Sequence, residues 1–458
     1  MQYKYFLETT MPSTTDLSGM ETTLDPSMIG RWNDTIMGIL SHSADAGVHM
    51  NAVIDGDPEF ALAQAIRGVS CLLLGRREMV SVAQEAHAAA VAAARRRMPT
   101  AREMAFVDAL GYWLAGHPSK AGVLIQEQLD KHPTDALAMK MVHAILFVMG
   151  DPKGMRKSIE GVLGHWDGHQ AHGYLMGCHA FSLEETGDYA LAEKIGRKGV
   201  ELAPRDAWGL HAVAHVYDMT GRADQGLKWL DGREESWAHC NNFRFHVWWH
   251  RALMHLDMGE YDAALDLYDR EVRAEQTDDY RDISNGASML SRLEIEGVDV
   301  GNRWEELADI SERRSNDGVL AFADLHYLLA LIGGERETAV KTLVGNMAKA
   351  RNEDGEASKI IHHPGHDVAL GLQEFASGNF PAAWIQLREA RGGLQAIGGS
   401  HAQRDVFQRI TIEAAIRGGY LDAAQMLLDE RTTQRGGYVD GYTMRRLDLI
   451  ASARGQAV

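Results

Sequence analysis

Apolar residues recur along most of the chain at the three- and four-residue spacing of amphipathic helices. A glycine interrupts this pattern about once every 34 to 44 residues. Glycine at such positions is typical of the turn that ends the first helix of a helical hairpin, because it adopts the left-handed C-cap conformation without steric cost. The ten glycines are Gly75, Gly116, Gly150, Gly187, Gly221, Gly259, Gly297, Gly334, Gly378 and Gly418.

Small residues keep a constant distance from these glycines. Alanine stands five residues after many of them, at Ala121, Ala192, Ala264, Ala339, Ala383 and Ala423. Alanine or glycine stands seven residues before, at Gly68, Ala109, Ala180, Ala214, Ala252 and Gly371. Small side chains at both positions allow two helices to pack closely, so the pattern predicts one structural unit repeated along the chain.

This unit resembles the tetratricopeptide repeat. The resemblance implies an all-α fold, a tetratricopeptide-like superhelix (α-solenoid) of about ten helix pairs. The solenoid is expected over residues 55–435. Residues 1–54 would form an N-terminal arm and a first helix, and residues 436–458 a C-terminal helix and tail.

Composition narrows the class of partner. The chain has 458 residues, of which 45% are hydrophobic, and carries 64 acidic against 46 basic side chains. The formal net charge of −18 and the lack of a long basic cluster disfavour nucleic acid as a partner. The N-terminal residues lack the order of a signal peptide, and no apolar run is long enough for a membrane span. We therefore expect neither secretion nor membrane insertion.

The cysteines agree with that expectation. Cys71, Cys178 and Cys240 share no metal-type spacing and are odd in number. They are typical of reduced cysteines in a reducing compartment. We predict a cytoplasmic protein.

The glycines also define one face of each first helix. Residues three, six, ten and thirteen before a glycine lie on one stripe, because they differ by three or four. The resemblance implies that this stripe faces the groove inside the superhelix. The stripes of three consecutive units contain Tyr174 and Glu184, then Trp208, His211, His215 and Asp218, then His246 and Trp249.

Two acids from later units extend this set. Asp324 stands ten residues before Gly334, and Asp405 thirteen before Gly418. A closed or tightly wound superhelix would bring both across the groove from His211.

Three strings carry a narrower resemblance. They are DAWGLHAVAHVYDMTGR at 206–222, FHVWWHRALMHLDMGEYDAALDLYD at 245–269 and IGGSHAQRDVF at 397–407. All three resemble the tetratricopeptide repeat protein 38-like family, and the similarity extends over most of the chain. It implies the solenoid fold, and it implies no reaction and no catalytic residues.

Metal binding is one interpretation of these residues. His211 and His215, and likewise His246 and His250, are spaced i, i+4, which lets two imidazoles on one helix bind one ion. Neither pair has the glutamate that follows the first histidine in a helix-borne metalloprotease. We predict no cofactor and retain a divalent metal at these four histidines as the alternative.

Acid-base chemistry on a bound small molecule is the second interpretation. His211 or His215 would be the base, and His246 would help to polarise the substrate. Asp218 or Asp324 would orient the base. The chemistry would be of hydrolase or lyase type.

The predicted substrate-binding residues surround these groups. Arg404 would bind an anionic group through its guanidinium, and His401 lies near a predicted helix N-terminus, which favours anions. The full set is Trp208, Trp249, Tyr174, Glu184, His401, Arg404 and Asp405.

The third interpretation is structural. The tryptophans would fill the core, the histidines would bond nearby carbonyl groups, and the groove would hold a peptide or protein. Such a scaffold could also form a homodimer through an exposed helical face. The stripes alternate aromatic and ionisable residues, whereas simple packing stripes consist of leucine and alanine, so our leading hypothesis is a small-molecule pocket.

Overall fold

The computed structural model describes residues 14–456, and these residues form an almost entirely helical protein. The α-helices are α1 Ile29–Leu40, α2 Ala46–Gly56, α3 Ala61–Leu73, α4 Arg77–Arg96, α5 Ala101–Leu114, α6 Pro118–Lys131, α7 Ala136–Val148, α8 Pro152–Val162, α9 His172–Glu185, α10 Tyr189–Leu202, α11 Ala207–Met219, α12 Ala223–Leu230, α13 Glu235–Ala238, α14 Phe243–Asp257, α15 Tyr261–Leu267, α16 Tyr280–Ile295, α17 Arg303–Arg314, α18 Ala321–Gly333, α19 Glu337–Lys349, α20 Glu356–Ile360, α21 Asp367–Ala376, α22 Phe380–Ala390, α23 His401–Arg417, α24 Leu421–Gln434 and α25 Gly441–Gln456. Short 3-10 or π-helical turns occupy Pro26–Met28, Leu163–His165, Tyr268–Val272, Ala350–Asn352, Ile361–His366 and Arg391–Ile397.

Ten helical hairpins repeat along the chain. They are α3–α4, α5–α6, α7–α8, α9–α10, α11–α12, α14–α15, α16–α17, α18–α19, α21–α22 and α23–α24. Each turn between paired helices contains one of the ten predicted glycines. The predicted all-α superhelix of helix pairs is therefore confirmed.

Two turns differ from the other eight. Gly334 and Gly418 have helical φ angles of −90° and −80°. The left-handed residue comes one position later, at Glu335 with φ 57° and at Gly419 with φ 81°. Because each residue turns a helix by about 100°, every face counted from Gly334 or Gly418 is rotated by that angle.

The small residue after the last turn follows the same correction. Ala424, five residues after Gly419, is fully buried, whereas Ala423 is only half-buried. The repeat therefore persists in the final unit, and only its register was misread.

The superhelix closes on itself. Arg77 Nε donates a hydrogen bond to the carbonyl oxygen of Asp317, 240 residues away. The hydroxyl of Tyr189 donates to the carbonyl oxygen of Gln434, 245 residues away. The similar separations of these contacts show that successive turns of the superhelix touch along its length.

Backbone segments of two turns meet closely at the α7–α8 hairpin. A Cβ on Gly150 would lie 1.9 Å from the carbonyl oxygen of Gln395, and one on Gly398 would lie 2.4 Å from that of Val148. Any side chain at either glycine would push the turns apart. This contact places residues 397–400, the loop before α23, over the inner ends of earlier helices.

The described part of the N-terminal arm packs against the solenoid. It contains the two short antiparallel strands β1 Thr14–Thr15 and β2 Glu21–Thr22. Thr22 Oγ1 and the backbone N–H of Thr23 donate hydrogen bonds to Glu103 on α5. The first 13 residues of the predicted arm lie outside the described residues.

The C-terminal helix α25 packs on the last hairpins. Arg446 Nε donates to Glu413 on α23 at 2.6 Å, and a second nitrogen of Arg446 donates to Glu296 at the end of α16. Within residues 14–456, no helix combines the length and apolar character needed to cross a membrane.

Candidate functional site

A cavity of about 170 Å³ lies at the centre of the superhelix. Its walls come from the inner helices of several units and from the loop before α23. The lining residues include His42, Lys140, His143, Phe147, Phe181, Trp208, His211, Phe243, His246, Tyr280, Arg281, Phe322, Gly398 and Gln403. Closure of the superhelix thus narrows the predicted groove to a partly open cavity at this point.

Aromatic rings form one wall of the cavity. The ring centroid of Trp208 lies 4.6 Å from that of Phe181, 5.7 Å from Phe147 and 5.5 Å from Phe243. His42 stacks on Phe243 at 4.7 Å. Trp208, predicted from the stripe to bind substrate, is the centre of this wall.

Lys140 is a cavity residue that the sequence analysis missed. Its side chain is buried, and its Nζ lies 4.9 Å from the ring centroid of Trp208. Within the described part of the chain, no carboxylate oxygen lies within 4.0 Å of this ammonium group. Arg281, the other cation in the lining, pairs instead with Asp279 through two hydrogen bonds.

Asp206 is a buried acid that feels the charge of Lys140, and it is only partly ionised. Burial raises the pKa of Asp206 to about 7, although the charge of Lys140 acts in the opposite direction. Near neutral pH, Asp206 therefore carries only part of a negative charge. The ammonium group of Lys140 is left without full compensation.

The stripe rule would have found Lys140. Lys140, Ala144 and Phe147 stand ten, six and three residues before Gly150, and all three line the cavity. The repeat is harder to recognise in this unit, because Met155 stands five residues after Gly150, where other units have alanine.

Four histidines meet beside the cavity. His211 and His215 on α11 and His246 and His250 on α14 each have a ring nitrogen within 4.8 Å of the others. The ring centroids of His215 and His250 are 4.2 Å apart, and those of His211 and His215 are 4.6 Å apart. His211 and His246 line the cavity. We call these four residues the histidine tetrad.

Hydrogen bonds orient two rings of the tetrad. The Nδ1–H of His211 donates to the carbonyl oxygen of Trp208 at 2.8 Å. The Nδ1–H of His246 donates to Oδ1 of Asn285 at 3.0 Å. These bonds assign the proton of each ring to Nδ1 and leave Nε2 as an acceptor. Sequence analysis had no signal for Asn285, which lies on a neighbouring helix.

A carboxylate holds the third ring. Nδ1 of His215 lies 3.5 Å from Oε2 of Glu184, and both side chains are fully buried. Burial lowers the pKa of His215, but the charge of Glu184 outweighs this effect and raises it overall. Neither carboxylate oxygen of Glu184 has a hydrogen-bond partner within residues 14–456.

The other three rings of the tetrad are neutral. Burial lowers the pKa of His246 to about 3, against the opposing effect of Asn285. Burial followed by the nearby histidines holds the pKa of His211 and of His250 well below the usual value. Because the proton of His246 is on Nδ1, the Nε2–H of His250 donates to Nε2 of His246 at 3.2 Å. His250 stands nine residues before Gly259, outside the stripe, and is nevertheless part of the cluster.

Two predicted wall residues are packed instead in the core. Tyr174 belongs to a hydrophobic cluster and is not part of the cavity lining. Trp249 is fully buried and stacks on His246 with a centroid distance of 5.2 Å. Trp249 packs against the tetrad and does not line the cavity, whereas it was predicted to bind substrate.

Asp218 is engaged elsewhere. Its Oδ1 lies 3.3 Å from a guanidinium nitrogen of Arg435, which also donates to the Asp218 carbonyl oxygen. Glu184 is the acid in contact with His215. The predicted role of Asp218 as the orienting acid is therefore corrected in favour of Glu184.

Asp324 does not face the histidines. It lines a separate cleft with Arg77 and Gly318. The left-handed residue of its unit is Glu335, and the residue thirteen before Glu335 is Phe322, which does line the cavity. The one-residue error in register rotated the predicted face and selected Asp324 wrongly.

Asp405 is likewise a structural residue. Its carboxylate lies 2.6 Å from Arg409, 2.9 Å from Arg431 and 3.9 Å from Arg292. Burial raises its pKa, but the arginines outweigh burial and hold the pKa well below the usual range. Asp405 was counted from Gly418, where the register is again one residue out.

His401 and Arg404 lie on the other side of the loop before α23. The backbone N–H of His401 donates to Glu185 at 2.6 Å, and Arg404 donates to the same carboxylate at 3.2 Å and to the carbonyl oxygen of Gly398 at 3.3 Å. Both residues line a wider groove of about 1240 Å³. Arg404 therefore binds Glu185. It does not line the cavity, where it was predicted to bind an anionic group.

Comparison with known proteins assigns neither a family nor a function to the chain. No protein-family model matches the chain. Among solved structures it is similar to yeast Tom70, with a TM-score of 0.36 and 13% identity over 93% of this chain and 88% of that one. It is also similar to human IFIT1, solved as a dimer with PPP-AAAA, with a TM-score of 0.37 and 15% identity over 94% of this chain and 96% of that one. Similarity of this degree says nothing about the function of this chain.

Proposed function

We propose that this protein binds a small organic anion in the central cavity. A cavity of about 150 Å³ accepts a molecule the size of benzene. The volume of about 170 Å³ therefore suits one ring or a short carbon chain with a single charged group. The aromatic wall around Trp208 would cover the apolar body of such a ligand.

The observation that carries this proposal is the position of Lys140, whose side chain is buried and whose ammonium group has no carboxylate oxygen within 4.0 Å among the described residues. A buried ammonium group costs free energy unless an anion or several hydrogen bonds compensate it. Asp206 does so only in part, and Arg281 is already paired with Asp279. A carboxylate, or another anion of similar size, bound near Lys140 would supply the missing charge.

Acid-base chemistry on this ligand remains a prediction. His211 and His246 line the same cavity as Lys140, so a ligand held by Lys140 would lie beside imidazole groups. Formation of a product from the bound ligand would test the hydrolase or lyase hypothesis. Membership of the tetratricopeptide repeat protein 38-like family and the cytoplasmic location also remain predictions.

The test is a thermal-shift screen with paired compounds. The library would contain aromatic and aliphatic carboxylic acids of up to about ten heavy atoms, each with its primary amide. A ligand at one hundred times its dissociation constant should stabilise the fold by about 2.7 kcal/mol. We expect stabilisation by some acids and none by their amides.

The competing function is a peptide- or protein-binding scaffold that uses the wider groove. A peptide bound there would contact residues such as His401 and Arg404 and would not need Lys140. Capture of peptides whose affinity is unchanged by Lys140→Met, together with no stabilisation by any small acid, would overturn the cavity proposal in favour of the scaffold.

A further inference from the structure

We propose that the histidine tetrad binds one divalent transition-metal ion of the kind that prefers imidazole, such as Zn²⁺. This inference goes beyond the cavity ligand and does not depend on it. It rests on the geometry of the four rings, on the groups that hold them and on the carboxylate of Glu184, which lies beside His215 and accepts no hydrogen bond within the described residues.

The ring positions are close to those of a metal site. In a tetrahedral site with metal–nitrogen bonds of 2.0 to 2.1 Å, the ligand nitrogens are about 3.3 to 3.4 Å apart. Nε2 of His246 and Nε2 of His250 are already 3.2 Å apart. The ring nitrogens of all four residues lie within 4.8 Å of one another, so side-chain shifts of an ångström or so would bring them around one ion.

The helices provide this arrangement directly. His211 and His215 are one turn apart on α11, and His246 and His250 are one turn apart on α14. Residues i and i+4 share a helix face, so each helix presents two imidazoles side by side. The packing of α11 against α14 brings the two pairs together.

Neighbouring groups leave the inner nitrogens free. Metal-bound histidines typically donate their second N–H to a carbonyl or carboxylate group, which fixes the ring and its tautomer. His211 donates to the carbonyl oxygen of Trp208, and His246 donates to Asn285. Both bonds use Nδ1, so Nε2 of each ring keeps a lone pair for an ion, and in His246 that lone pair now accepts from His250.

Glu184 completes a carboxylate–histidine–metal arrangement. Its Oε2 is 3.5 Å from Nδ1 of His215, and the described residues offer no hydrogen bond to either carboxylate oxygen. A buried carboxylate that accepts no hydrogen bond is costly. A doubly charged ion on the far side of His215 would strengthen the contact and balance this charge.

Ordinary packing accounts less well for the same atoms. Without an ion, His246 and His250 share one proton, and Nε2 of His215 is buried with no partner within residues 14–456. A buried polar atom without a partner costs about 1 to 3 kcal/mol. An ion would satisfy Nε2 of His215 and take the place of the proton between His246 and His250, which would move to Nδ1 of His250.

The first experiment measures metal in the wild-type protein. Untagged protein, purified without chelators, should contain about one equivalent of a single transition metal by mass spectrometry. Protein stripped with a chelator should then take up one equivalent of Co²⁺, with the visible absorption of a four-coordinate site. Zn²⁺ should displace it.

Variants locate the site. His211→Gln combined with His250→Gln removes one ligand from each helix and should reduce the bound metal at least tenfold. His326→Gln is the matched control, because His326 is equally buried and its Nδ1 donates to the carbonyl oxygen of Phe322, outside the tetrad. The control should retain the full equivalent.

The wild-type measurement decides the proposal even if the double variant fails to fold. Less than about a tenth of an equivalent as purified, with no saturable uptake of Zn²⁺ or Co²⁺ by stripped protein, would overturn it. Equal loss of metal in His326→Gln would overturn it as well. Neither metal measurement uses a compound from the screen, so either result leaves the screen for small acids as a separate test of the cavity.

Discussion

The Nδ1 atom of His215 lies 3.5 Å from Oε2 of Glu184, and solvent reaches neither side chain. This contact joins two neighbouring hairpins, because Glu184 is near the end of α9 and His215 is in the middle of α11. In the proposed metal site, Glu184 would not touch the ion. It would position His215 and raise the basicity of its ring.

Glu184→Gln should therefore weaken metal binding without removing a ligand. Loss of a carboxylate behind a ligand histidine typically costs 10- to 100-fold in metal affinity, and we expect a change of that size in a Zn²⁺ competition titration. Glu160→Gln is the matched control, since Glu160 lies 3.5 Å from His179, outside the tetrad. Equal affinities for both variants would show that Glu184 has no positioning role.

Lys140→Met should separate binding from stability. Removal of a buried, uncompensated charge should raise the free energy of unfolding of the ligand-free protein by about 1 kcal/mol or more. The same variant should lose its stabilisation by small carboxylic acids. Urea denaturation with and without ligand measures both effects.

Lys194→Met is the control for that experiment, because Lys194 is exposed on α10. Lys194→Met should change neither the free energy of unfolding nor the stabilisation by small carboxylic acids by more than about 0.5 kcal/mol. Retention of acid binding in Lys140→Met would rule out Lys140 as the anion-binding group.

Asp405→Asn should destabilise the protein strongly. The substitution leaves the buried guanidinium groups of Arg409 and Arg431 without their shared anion, and such a loss typically costs about 3 to 5 kcal/mol. Glu430→Gln breaks an exposed pair with Arg391 and should cost less than about 1 kcal/mol. Similar denaturation midpoints for the two variants would contradict a structural role for Asp405.

Asp324→Asn should have an effect that depends on pH. Burial, followed by the charge of Asp317, raises the pKa of Asp324 to about 7, against an ordinary value of 3.8. Between these values the folded state holds the proton more tightly than the unfolded state. The stability contributed by this group is therefore present below pH 3.8 and is lost as the pH rises through 7.

The Asp324→Asn variant does not lose stability in this way as the pH rises. Its unfolding free energy relative to wild type should increase from pH 4 to pH 8, by at most about 4 kcal/mol for a shift of this size. Urea denaturation at several pH values measures the difference, in which the histidines common to both proteins cancel. A difference independent of pH would mean that Asp324 is ionised throughout. The Asp324→Asn variant should still bind small carboxylic acids in the cavity as the wild type does.

The glycine spacing predicted more of the site than any single motif did. Counted from Gly221 and Gly259, it identified Trp208, His211 and His246, which all line the cavity. It failed where the turn places its left-handed residue one position later, after Gly334 and Gly418. Of the ten turns, only these two contain two consecutive glycines, Gly333–Gly334 and Gly418–Gly419, and a shift of one residue selects a different helix face.

The sequence by itself determined the ten hairpins, because helix periodicity, small packing residues and glycine turns depend on interactions within a few residues. It also placed two histidines on one face of α11 and two on α14. Only the tertiary structure decided that these pairs meet, that Glu184 contacts His215 and that the superhelix closes over Lys140. Those contacts depend on small rotations summed over many units, and no short segment of sequence encodes that sum.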